Sequence, residues 1–177
     1  MLGLNQALGS NRELLLPEQT NLNTWLIQPS TDGKTSVNVK GTDATFTGTN
    51  AYSFDGSNDY IETGVVLNTG TDDYSITGTF ILNAASSNKG LLDGKDANDD
   101  GIRILFDNSG NRMMCSHNTV DCNVSGTWDD GAVHTFSMVK SGDTLTATID
   151  STVATADVSG QTIAVTSEAE IGRHGGS

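Results

Sequence analysis

The sequence is short of positive charge, of tryptophan and of long apolar runs, and each shortage removes a class of function. Nine basic residues stand against 22 acidic ones, a net charge of −13. That balance repels a phosphate backbone and an anionic bilayer, so nucleic acid is not expected as a partner. Solubility, cations and neutral ligands such as sugars suit it better. No run approaches the ~18 apolar residues of a spanning helix, so no membrane insertion is expected. Trp25 and Trp128 are the only tryptophans, few for a cleft that stacks sugar rings. The amino terminus, MLGLNQALGSNRELLLPEQ, has neither a basic n-region nor an apolar h-region. It does not read as a Sec signal peptide. The protein then acts inside the cell or leaves by another route, such as packed on a virus particle, unless the chain is a fragment.

What is present points to one β-rich domain. A chain of 177 residues can bury a real core. With 35% hydrophobic and 18% charged residues and only two prolines, it is polar but not disordered in composition. Twenty glycines, with abundant Thr and Ser, indicate short strands joined by tight turns. Leu2, Leu4, Leu8 and Leu14 to Leu16, stopped by Pro17, suggest a short arm or helix over residues 1–19. The domain proper is expected over residues 20–177.

Strand candidates follow at 23–27, 36–40, 51–54, 60–64, 73–82, 90–92, 101–106, 112–115, 132–140, 143–150 and 168–172. Asp/Asn/Gly/Ser turns separate them, where a positive φ is cheap. In DTLTATID, Leu145, Ala147 and Ile149 share one face and Thr144, Thr146 and Thr148 the other. In AVHTFSMVK, His134, Phe136 and Met138 oppose Val133, Thr135, Ser137 and Val139. One dry and one wet face predict antiparallel sheets packed as a sandwich.

AYSFDGSNDYIE (51–62) resembles the early strand pair of laminin-G-like, concanavalin A-like jelly rolls. Phe54 and Tyr60 would fill the core on either side of the turn Asp55-Gly56-Ser57-Asn58-Asp59. YSITGTFIL resembles the family's long central strand, GAVHTFSMVKSGDTLTATID its Trp-His hairpin, and AEIGRHGGS its late Ile-Gly strand. The resemblance runs from about residue 45 to the end. It implies an all-β fold, a two-sheet antiparallel jelly-roll sandwich with a short amino-terminal arm or helix. The chain departs from the pattern at Val133, where the family often has Trp, and at Asp150-Ser151, where it has Asp-Gly. It also stops at Ser177, before the family's closing strand. The amino-terminal segment or a strand from a neighbouring chain could fill that edge, or the chain is a fragment.

KDANDDGIRILFD (95–107) carries the strongest ligand signal. Asp96, Asn98 and Asp100 offer side-chain oxygens at alternate positions, and Asp107 stands where a last ligand would. A strand follows instead of a helix, so a helix-loop-helix calcium hand is excluded. A β-type calcium site is one reading, with Asp96, Asn98, Asp99, Asp100 and Asp107 as ligands. In the pentraxins, calcium-dependent jelly-roll lectins, an acidic pair precedes the matching strand where Asp99 and Asp100 stand here. The other reading is a solvated hairpin turn. Asp55, Asn58 and Asp59 read as Asx turns.

Catalytic signals are weaker. Glu168 and Glu170 share a strand face by period two, as a retaining glycosidase needs, but the Glu-x-Asp-x-x-Glu of the glucanases on this architecture is absent. They read as solvated edge carboxylates. His117, His134 and His174 have no metal spacing, and no Gly-x-Ser-x-Gly occurs. Gly33-Lys34-Thr35 lacks the first glycine of a phosphate loop. Cys115 and Cys122 flank a six-residue hairpin as a cross-strand disulfide or as free buried thiols. Asn123 heads a glycosylation sequon that reads as chance.

The whole is expected to be a non-enzymatic surface binding or assembly module, a phage virion accessory protein of the capsid-decoration or tail-appendage kind. Its partners would be other virion proteins or copies of itself, and cell-surface glycans. Rim loops 55–59, 93–100 and 116–121 would face those glycans from the virion surface. The alternative is a calcium-dependent lectin-like domain of a secreted or cell-surface protein, truncated at Ser177. A glycoside hydrolase or lyase ranks third.

Overall fold

A computed structural model describes residues 38–40, 45–46, 52–54, 60–83, 88–107 and 111–172. The chain divides into two compact units, Met1–Ser36 and Val37–Ser177. The first unit lies outside the described residues, and with it the expected arm over 1–19, the strand candidate at 23–27 and Gly33-Lys34-Thr35. The turn 55–59 and His174 lie outside them too.

The second unit is built from strands. In chain order they are β1 (Asn38–Lys40), β2 (Thr45–Phe46), β3 (Tyr52–Ser53), β4 (Tyr60–Val66), β5 (Tyr74–Ile81), β6 (Lys89–Asp93) and β7 (Ile102–Phe106). There follow β8 (Arg112–His117), β9 (Val120–Ser125), β10 (Val133–Ser141), β11 (Thr144–Ile149), β12 (Thr152–Asp157) and β13 (Glu168–Ile171). They form a seven-stranded sheet ordered β1-β4-β13-β6-β7-β8-β9 and a four-stranded sheet ordered β12-β11-β10-β5, with a small β2-β3 pair. All pairings are antiparallel. The fold is the expected two-sheet jelly-roll sandwich.

Three hairpins fix the registers, each with a two-residue loop. Ser141 pairs with Thr144, Ile149 with Thr152, and His117 with Val120. The first loop residue has positive φ in every case: Gly142 at 56°, Asp150 at 51° and Asn118 at 52°. Such loops match the right-handed twist of the flanking strands. Asp and Asn reach this region because their short polar side chains bond locally. Thus Asp150-Ser151 makes the tight turn without the glycine.

Period two places the core as expected. Phe136, Met138, Leu145, Ala147 and Ile149 point inward from the four-stranded sheet. Ile102, Ile104, Phe106, Met113, Cys115, Cys122 and Val124 meet them from the other. Each fully buried aliphatic side chain contributes about 1.5–3 kcal/mol. Trp128 closes one end, against the edge of His134 with ring centroids 5.4 Å apart. Phe54 and Tyr60 are only half-buried; the ring of Phe54 lies against Gly172, where a Cβ would collide with it.

Two expectations are corrected. Residues 116–121 are not a rim loop: Ser116 and His117 end β8, Val120 and Asp121 begin β9, and only Asn118 and Thr119 turn. Cys122 is therefore a strand residue directly opposite Cys115. Glu168 and Glu170 are not edge carboxylates: β13 lies inside the sheet between β4 and β6, and its register with β4 slips there, three β4 residues facing Ala169 alone. Thr63 secures this bulge by donating its hydroxyl to the Ala169 carbonyl at 2.7 Å.

Candidate functional site

The turns at one end of the sandwich are tied together by backbone-directed hydrogen bonds. Asn118, between β8 and β9, accepts the Gly101 N–H on its Oδ1 at 2.9 Å and donates its Nδ2 to the Thr162 carbonyl at 2.8 Å. Its own N–H donates to the Gly101 carbonyl at 2.7 Å. Gly70 and Ile163 exchange two backbone hydrogen bonds at 3.0 and 2.9 Å. Lys140 buries its stem, 4% exposed, and donates Nζ to the Thr71 carbonyl at 2.8 Å. The end that carries the acidic turn 94–101 is thus a braced platform.

That turn is organised by its own side chains. Asp96 Oδ1 accepts the N–H of Asn98 at 2.8 Å and of Asp100 at 3.1 Å, and the Asp96 N–H donates to the Asp100 carbonyl. Asp99, at φ 65°, pairs with Lys95 at 3.1 Å and Arg103 at 3.3 Å. Gly101, at φ 126°, passes so close to Gly94 that a Cβ would strike backbone. Asp107 lies past the far end of β7, separated from Asp100 by roughly 17 Å of extended chain. It pairs there with Arg112 at 3.4 Å. The spacing that lines up Asp107 with the others in a loop does not survive a strand, so Asp107 cannot share a cation with Asp96, Asn98, Asp99 and Asp100. Among the described residues, no group of three His, Cys, Asp or Glu side chains is gathered as a metal set.

The outer face of the four-stranded sheet emerges as a surface only from the strand registers. Its rows run across strands by register: Thr77, Ser137, Thr148 and Val153 in one, Ser75, Val139, Thr146 and Thr155 in the next. Thr79 and Thr135 begin a third row, and Ile81 and Val133 close the face, 56% and 67% exposed. The two full rows carry hydroxyl and methyl groups and no charge, in a chain of net charge −13; the third row ends at the Asp150 carboxylate, which accepts the Thr135 N–H at 2.9 Å and its hydroxyl at 3.1 Å. The signal for this face was in the sequence, as the alternating threonines of ITGTF and DTLTATID. At the braced end it runs into an open depression lined by Asp143, Thr144, Thr155, Ala156, Asp157 and Ser159. The Ser159 N–H donates to Asp157 Oδ1 at 2.8 Å, and this bond lowers the Asp157 carboxyl below its usual range. Asp157 is therefore an ionised acceptor beside two hydroxyl groups.

The two described histidines, His117 and His134, are held by hydrogen bonds within the fold. His134 is 7% exposed. Its Nδ1 lies 2.8 Å from Asp150 Oδ2 and its Nε2 3.1 Å from Asp130 Oδ1. The Asp150 bond first, then Asp130, raises the imidazole above its ordinary pKa. Both carboxyls are held low: Asp150 chiefly by His134, Asp130 chiefly by the Ala132 N–H and then by His134. His117 is fully buried, with Nδ1 2.9 Å from the Tyr74 hydroxyl. Burial, and then the charge of Lys140, lowers its pKa. Cys115 and Cys122 are free thiols here, and burial pushes both up. Glu168 is exposed and Glu170 half-buried, the latter in register with Glu62 on β4 and Asp93 on β6.

No family model matches the chain, and no curated protein sequence does. In fold it is similar to the solved crystal structure of HCR/D-Sa-GBL1/C, with a TM-score of 0.57 and 14% identity over 80% of this chain and 39% of that one. The chain spans about two fifths of that chain's length, and the likeness is one of fold: an all-β sandwich of two antiparallel sheets.

Proposed function

We propose that the domain is a non-enzymatic binding module for neutral polyhydroxylated ligands, glycans first among them. The observation that carries this reading is the uncharged hydroxyl face ending at the Asp143–Asp157 depression. Sugar hydroxyls donate well to an ionised carboxylate and exchange hydrogen bonds with Thr and Ser hydroxyls. A flat, braced surface loses little ordering entropy on binding. The module works on an outer surface, and the virion exterior is our leading setting.

The test is a glycan array probed with the full chain, followed by affinity measurements on the best hit. Asp157→Asn and Thr155→Val should each weaken binding by about tenfold or more, the scale of one lost charge-assisted or buried hydrogen bond, with the melting temperature held. Binding unaffected by both changes, or no neutral glycan retained, removes the reading. Two further arms address the rival functions. A melting temperature raised by millimolar calcium and returned to baseline by Asp96→Ala would favour the calcium-dependent lectin. Sugar cleavage lost in Glu168→Ala or Glu170→Ala would favour the hydrolase.

A further inference from the structure

We propose that the free edge of β5 is an interaction surface for a second copy of this chain, the two β5 strands pairing antiparallel about a twofold axis. Among the described residues, β5 has β10 on one side and no strand on the other. An exposed edge offers a row of unpaired N–H and C=O groups, and folded proteins blunt such edges with lysine, proline, a bulge or extreme shortness. β5 has none of these. It is eight residues long, YSITGTFI, without a charge or a proline. Its register with β10 runs unbroken from Tyr74–Lys140 to Ile81–Val133, so no bulge turns the edge away.

Charge decides which partner fits. Most surfaces of a chain at −13 repel a second copy, but β5 meets its twin without a carboxylate in the ladder. The nearest acids along the strand itself, Asp72 and Asp73, precede Tyr74, while Asp130 stands beyond the neighbouring β10 end, where the Gly131 N–H donates to the Leu82 carbonyl. A parallel pair would set Asp72 and Asp73 against those of the other copy. The antiparallel pair, with Thr77 on the axis, sets Asp72 against Leu82 and Asp73 against Ile81 of the other copy, both neutral. The self-complementary arrangement is also the one that closes as a dimer and does not extend into a fibre. It joins two four-stranded sheets into one of eight strands and doubles the hydroxyl face described above. The inference rests on β5 alone and stands or falls separately from the ligand reading.

The experiment is sedimentation of the full chain over a range of concentrations, with hydrogen exchange read at β5. We expect a species of twice the 18.5 kDa chain mass, growing with concentration and with salt, which screens the shared negative charge. Edge amides of β5 should gain protection in step with it. Thr77→Lys with Thr79→Lys places like charges near the axis on an exposed face, leaving the core untouched. It should weaken association by about tenfold or more while the melting temperature of the monomer holds. A monomer at all concentrations overturns the proposal, whether its β5 amides exchange freely or are protected by the chain itself. A dimer indifferent to the double variant overturns it equally.

Discussion

The two sheets share a core but treat their outer faces differently. On the four-stranded sheet, β10 alternates exposed and buried residues almost without fault, and β11 and β5 follow. On the seven-stranded sheet, β7 is buried at Ile102, Ile104, Leu105 and Phe106, and β8 at Cys115, Ser116 and His117 in succession. Its outer side holds a cross-strand row of polar groups, Glu62, Glu170, Asp93, Arg103, Ser116 and Asp121. Asp93 is 5% exposed and Ser116 2%. Polar groups so placed must be partnered: Arg103 Nε meets Asp93 Oδ2 at 3.1 Å, and the Ser116 hydroxyl donates to Asp121 Oδ1 at 2.6 Å. One sheet spends its outer face on water and uncharged hydroxyls, the other on a satisfied polar network. Substitutions should therefore be cheap on the first and costly on the second.

The largest contrast is between core and hydroxyl face. Ile104→Ala, at a position with no exposure, should cost about 2–5 kcal/mol, combining lost transfer energy with a cavity. Thr146→Ala on the outer face should stay within about 0.5 kcal/mol. Urea denaturation of the pair measures both. Equal costs would mean that the face is covered and that the binding surface is misplaced.

Next in size is the polar row. Asp93→Asn leaves the Arg103 guanidinium, 18% exposed on its side chain, beside a neutral amide. The expected loss is about 1–2 kcal/mol, since the guanidinium keeps only the exposed carboxylate of Asp99 at 3.3 Å. Asp93→Asn with Arg103→Met should recover part of it, which a double-mutant cycle reads. A single variant as stable as the parent would mean that water reaches the row.

This difference between the sheets also governs what could be read from the sequence. The four-stranded sheet was legible because each strand has one wet face: DTLTATID and AVHTFSMVK announce their orientation. Its turn at Gly142-Asp143 has a glycine to mark it. Asp150-Ser151 and Asn118-Thr119 do the same work without one, so neither β12 nor β9 stands among the strand candidates, and the first two residues of β9 fall in the expected loop 116–121. The acidic stretch 95–100 could be placed on a turn but its chemistry could not, because alternate oxygens look alike whether they point at a cation or at backbone N–H groups. In the structure Asp96 takes two of its own loop's N–H groups. The hydroxyl face was visible residue by residue and invisible as a surface, since its rows exist only once the registers of β5, β10, β11 and β12 are known.

A third test concerns the thiols between the sheets. Cys115 and Cys122 face each other across β8 and β9, with 0% and 1% exposure. Burial pushes both away from the thiolate that reacts. In the native protein near pH 8 both should resist an aromatic disulfide reagent, and both should react at once in denaturant. Oxidation of the unfolded chain followed by refolding tests the bridge. Directly opposed strand positions fall within disulfide reach, so the refolded oxidised protein should melt several degrees higher. Fast native labelling would mean that the β8–β9 hairpin opens readily and that the seven-stranded sheet is the weaker layer.

The smallest effect separates the two buried histidines, which respond to pH in opposite senses. His134 is raised by its carboxylate partners, so its stabilisation is fully present below the ordinary 6.5 and is lost as pH rises through the raised value. Asp130 and Asp150 are lowered, so theirs is present above the ordinary 3.8 and lost as pH falls through the lowered values. The cluster therefore helps most between about pH 4 and 6.5. His117 is lowered, so its contribution declines as pH falls below the ordinary 6.5, when the unfolded chain takes a proton that the buried ring refuses. The two trends oppose each other in the parent and mask one another in a simple melting curve. His134→Gln removes one and leaves the other. The melting difference between parent and variant should be largest near pH 5 and shrink steadily toward pH 8. The change should be modest, because Asp130 and Asp150 are 46% and 45% exposed and solvent screens them. A difference independent of pH would mean that His134 is neutral and held by packing against Phe80 and Trp128, with the carboxylates as bystanders.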